Sequence, residues 1–126
     1  MKKETIEEIT ELVKVNGLIS TANQLGLDPS TIIDKCALSY KKFEDIQFTP
    51  HPMSGVRSVT MFENGYGASV VSHSFSYGGQ MGLYEMAVLD KNGELTYTTS
   101  VTDDVIGYLT PEQVTEKLIQ IQDLKN

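Results

Sequence analysis

Cysteine is almost missing from this chain. Among 126 residues only Cys36 occurs, which excludes an internal disulfide and fits a reducing compartment. Long apolar runs are missing too: none approaches the roughly 18 residues that a membrane-spanning helix requires. The opening MKKETIEEIT places two lysines ahead of polar sequence, without the apolar stretch of a secretory signal, so the expected location is the cytoplasm. Histidine is limited to His51 and His73, too few for a zinc or catalytic constellation built on that residue. Cations are scarce. Ten Lys and Arg face seventeen Asp and Glu, a net charge of −7, with −2 on residues 1–45 and −5 on the remainder. Gripping DNA without sequence preference requires cations that displace counterions from phosphates, so an acidic surface suits basic protein partners better. The 40% hydrophobic content fits a folded soluble protein, and the length allows one modest domain or two very small ones.

The N-terminal part reads as helical. Thr5 and Glu8 have capping-box spacing, Ile6, Ile9 and Val13 follow at helical intervals with Leu12 beside them, and Asn16-Gly17 offers a left-handed stop. Ser20 can cap a short second helix that ends at Gly26. Asp28 can cap a third, with Pro29 in its first turn, where no amide hydrogen is required. Ile32, Cys36 and Tyr40, spaced by four, predict that this helix runs from about Pro29 towards Phe43.

Within residues 18–37, LISTANQLGLDPSTIIDKCA, Ala22 stands four positions before Gly26, Leu25 and Leu27 flank the glycine, and Ile32 lies six beyond it. This spacing resembles that of helix-turn-helix proteins, with Ala22 where two helices cross and the leucines and isoleucine facing inward. The resemblance implies DNA contact through Ser30, Thr31 and Lys35 of the third helix. Lys35, Lys41 and Lys42 could form a small basic patch along it. Against DNA stand Asp34 on the phosphate side, the lack of arginine in the segment, and a lysine at position 35 where such proteins usually carry an apolar residue.

FTPHPMSG, residues 48–55, breaks any periodicity and reads as a linker between a helical domain, 1–47, and a second domain, 56–126. There the pattern turns to strands. Val56–Glu63 and Tyr66–His73 flank the hairpin signal Asn64-Gly65, Leu83–Leu89 follows, and Asp90–Gly93 turns the chain into a fourth strand, Glu94–Ser100. Thr110-Pro111-Glu112-Gln113 opens a closing helix, with Val114, Leu118 and Ile121 as its apolar stripe and Leu124 continuing it. The expected fold class is α+β: an N-terminal three-helix, helix-turn-helix-like unit followed by a four-stranded antiparallel sheet with one C-terminal helix.

In the second half, Phe62–Val71, Ser76-Tyr77-Gly78-Gly79, Gly82–Leu89 and Thr102–Thr110 resemble small proteins of unknown function encoded by tailed bacteriophages and prophages, over residues 56–124. The resemblance implies a phage origin, and hence a bacterial host, but no particular activity.

Candidate chemistry is sparse. Cys36 reads as a small core residue, His51 and His73 as two solvent-accessible side chains, and Asp103-Asp104 as a turn. YGGQMG, residues 77–82, has glycines without the lysine or following helix of a phosphate loop, and reads as a flexible connection between strands. Phe75, Tyr77 and Met81 stand there as large apolar groups among glycines and serines, the pattern of anchors at a protein interface. No catalytic, cofactor or metal residues are expected. The sequence reads as a non-enzymatic phage-type accessory protein that binds a host or phage macromolecule, a protein before a nucleic acid; inhibiting a host defence would be one such role. The alternative is a DNA-binding regulator, with homodimerisation.

Overall fold

The computed structural model describes residues 5–125; the terminal positions counted in the charge balance of the N-terminus lie outside them. The fold is α+β, in two compact units that divide between Tyr40 and Lys41.

The first unit holds three helices, α1 (Ile6–Asn16), α2 (Leu18–Leu25) and α3 (Pro29–Lys35). α2 starts at Leu18 directly after Gly17 with no side-chain cap, so Ser20 lies inside that helix and does not cap it, whereas the other two starts have a local cause. The Thr5 hydroxyl accepts from the Glu8 amide, and the Asp28 carboxylate accepts from the Ser30 amide at 2.8 Å with Pro29 behind it. Gly26 takes a left-handed conformation, φ 67°, which ends α2 and lets the Leu27 amide reach back to the Ala22 carbonyl. Ile9, Val13, Leu18, Ala22, Ile32 and Ile33 are buried. Leu25 is only half-buried, Leu27 and Ile6 are exposed, and so the inward-facing set is smaller than the spacing suggested.

α3 is also shorter than expected, stopping at Lys35 instead of running towards Phe43. Ala37 has φ 52° and the Leu38 amide bonds the Ile33 carbonyl, a left-handed helix end built on alanine where glycine is usual. Cys36 is the C-cap, half-exposed, and not a core residue. Lys41 and Lys42 therefore lie beyond α3 and form no helical stripe with Lys35. Ala22 is 2% exposed. Ala22→Leu should cost about 1–3 kcal/mol by overpacking that site; an unchanged melting temperature would reject the tight packing.

The second unit is a five-stranded antiparallel sheet in the order β1 (Thr49–Pro50), β2 (Val56–Met61), β3 (Gly67–Ser72), β4 (Tyr84–Leu89), β5 (Ile106–Leu109), covered on one face by α4 (Pro111–Gln122). Four strands were expected. The short β1 lies in the segment read as linker and pairs Thr49 with Arg57 and Pro50 with Val56. Upstream of it, Ile46 is buried among the core residues, and Phe43 and Phe48 pack on them and against Tyr84, the first edge-on and the second tilted, so residues 43–48 belong to the sheet unit.

The predicted strand 94–100 is absent apart from a bridge between Leu95 and Leu89; the place beside β4 is taken by 106–109. The cause is what each segment can bury. Leu109 is buried and Ile106 packs on the core, whereas Leu95 and Tyr97 stay exposed. The threonine hydroxyls of 96 and 98 bond each other and that of Thr99 accepts from the Val101 amide, local bonds that compete with a ladder.

The core lies between sheet and helix: Ala68, Val70, Met86 and Val88 meet Val114, Leu118 and Ile121. Thr110 and Gln113 exchange side-chain bonds at the start of α4, as their spacing predicts. At its end the Asn64 side-chain amide donates to the carbonyls of Ile121 and Leu124, which ties the β2–β3 turn to the helix.

Candidate functional site

The segment between β3 and β4, residues 73–83, is not the flexible connection that its glycines suggested. The Ser76 side chain is buried, accepts from the His73 amide at 2.9 Å and donates to the His73 carbonyl at 3.0 Å. The Gly79 amide bonds Ser76, the Met81 and Leu83 amides bond the Gly78 carbonyl, and the Tyr108 amide of β5 bonds the Tyr77 carbonyl. Neighbouring atoms lie too close for a side chain at two glycines. A Cβ on Gly79 would stand 1.8 Å from the His73 carbonyl oxygen, and one on Gly107 2.3 Å from the Cβ of Tyr77. The loop is a hydrogen-bonded platform.

On this platform the three predicted anchors point outward: Phe75 is 76% exposed, Met81 70% and Tyr77 58%. Phe75 and Met81 line an open groove of about 190 Å³ with Tyr108, Ser74 and Gln80, while Tyr77 stands beside it over Gly107. No charged residue lines the groove. Cofactor and small-ligand pockets run to about 300–1,000 Å³ and enclose most of the ligand. The groove is smaller and more open than such a pocket.

Tyr108 escaped sequence reading. It is 57% exposed and has φ 58° inside β5, where the pairing with β4 shifts register between Tyr84 and Met86. A left-handed tyrosine costs about 1–2 kcal/mol, and such strain clusters at sites of function. The register shift aims its ring at the loop. The only signal available was Gly107-Tyr108 in an otherwise apolar run. Tyr108→Gly should be more stable than Tyr108→Ala by about 1 kcal/mol, because both remove the ring and only glycine removes the strain. Equal melting temperatures would show that the backbone is unstrained.

His51 and His73, expected as separate surface groups, are brought together. Their rings stack with centroids 4.3 Å apart, His51 from the β1–β2 turn and His73 from the end of β3. Partial burial, then the neighbouring His73 and Arg57, hold the His51 pKa below its ordinary 6.5. Among the described residues no three His, Cys, Asp or Glu side chains gather as metal ligands.

The DNA candidates belong to the first unit. Thr31 and Lys35 are exposed one helical turn from each other, and Ser30 is half-buried with its amide held by Asp28. α3 offers them seven residues of helix. No helix among the described residues is long and apolar enough to cross a membrane. The chain matches no family model, no curated protein and no solved structure.

Proposed function

We propose that this chain is a non-enzymatic binding protein of the phage accessory type that seats a host or phage protein on the face formed by Phe75, Tyr77, Met81 and Tyr108. The observation that carries this reading is four large, exposed side chains around one uncharged groove, on a frame ordered by its own hydrogen bonds. Aromatic anchors on a rigid frame lose little conformational freedom on binding, which is how a small contact gains affinity. Interference with a host defence or regulatory complex is one role such a protein serves in a bacterial cytoplasm. The net charge of −7 favours a partner with a basic rim around an apolar centre. Co-purification from host lysate with wild-type chain and with a Phe75→Ser, Tyr77→Ser, Met81→Ser triple variant tests this. A protein retained only by the wild type supports it, and a protein retained equally by both moves the interface elsewhere.

DNA binding is the second reading, favoured by the left-handed turn at Gly26 and the open Thr31–Lys35 face. Base contacts are worth about 1–3 kcal/mol each, so Ser30, Thr31 and Lys35 would hold operator DNA only in a homodimer.

A further inference from the structure

We propose that the His51–His73 stack is a proton-operated latch that holds the root of the aromatic loop in place when both rings are neutral and loosens it when one is charged. In each ring Nδ1 accepts a backbone hydrogen bond: from the Met53 amide to His51 at 3.0 Å, and from the Phe75 amide to His73 at 3.1 Å. A neutral imidazole with Nδ1 as acceptor carries its proton on Nε2. A proton taken from solvent can then add only at Nδ1, where it meets an N–H instead of a lone pair, and that backbone bond is lost. The new charge also faces the second ring at 4.3 Å.

Two charged groups share that face of the sheet, one of each sign, in the row through Val71. From β2 the neighbour is Arg57, itself positive. Glu85 of β4 lies on the same face of the sheet, in the row that joins Arg57 to Val71, two pairing rows from His73. The turn 52–55, the loop 74–82 and β5 contain no charged residue. His73 is also the hinge of the loop: its carbonyl and amide hold Ser76, a Cβ on Gly55 would lie 2.8 Å from its Cα, and Gly79 packs on its carbonyl. Movement of His73 is therefore passed to Phe75 and Tyr77. The His51 pKa lies below 6.5 in the folded chain, so in this region the unfolded chain binds more protons. Its contribution to stability is complete above pH 6.5 and declines as pH falls below that value.

The latch is a property of the free chain and stands whether or not the loop meets a partner. Amide resonances followed from pH 7.5 to 5.0 test it. The Met53 and Phe75 amides should move together with one common midpoint, and the protection of the Phe75 amide against exchange should fall about tenfold while that of Val70 in the core is kept. In His51→Phe, which keeps a ring in the stack without a proton site, the Phe75 transition should part from the wild-type midpoint; His51→Gln serves if that variant does not fold. A Phe75 amide that stays still over this range, or that moves with the same midpoint in the variant, would overturn the latch.

Discussion

Replacing Phe75, Tyr77 and Met81 together by serine is expected to abolish partner binding while the chain stays folded. All three side chains are more than half exposed, so their removal takes little from the core between sheet and α4. Anchors of this kind are worth about 2 kcal/mol or more each at an interface, and the loss of three lowers affinity by about ten-thousandfold or more. The frame of the loop relies on Ser76, Gly78, Gly79 and backbone bonds, none of which the substitutions touch. Calorimetric titration of the purified partner, beside a thermal melt of the variant, separates lost binding from lost fold.

Gly79→Ala should damage both. The added methyl would stand 1.8 Å from the His73 carbonyl oxygen and 2.5 Å from the Ser76 hydroxyl oxygen, and the first of these is backbone that cannot rotate away. The loop must shift, breaking the Ser76 bonds that set the direction of Phe75. Overpacking of this kind costs about 1–3 kcal/mol, with a further binding loss from misplaced anchors. Gly82→Asn is the matched control: Gly82 has φ 74° with open space around it, and asparagine tolerates that conformation. A Gly79→Ala chain as stable and as competent as Gly82→Asn would show that the loop is not held as described.

Sequence reading succeeded where one residue decides one local bond. Asp28, Gly26, Thr110 with Gln113, and the Asn64-Gly65 turn were all legible, because a cap or a left-handed glycine acts within a few positions. It failed where the deciding contact is distant or breaks the usual residue preference. The end of α3 rests on a left-handed alanine, which carries no stop signal. The fifth strand lies at 106–109 because Leu109 and Ile106 find the core, whereas the threonine-rich 94–100 has strand propensity and nothing to bury. Phe75, Tyr77 and Met81 were visible as apolar groups in a polar setting. Tyr108 and the stacked histidines were not, since only the folded sheet brings residues 51, 73 and 108 to one loop.

The most direct measurement is photo-crosslinking in host cells from a benzoylphenylalanine placed at position 75, with a second placed at Val59 on β2, which is equally open at 65% exposed. The prediction is one discrete protein adduct from position 75, competed away by excess wild-type chain and not by the triple-serine chain, and no such adduct from position 59. Equal adducts from both positions, or an adduct from position 75 that the triple-serine chain competes as well as the wild type, would contradict a binding face built on the aromatic loop.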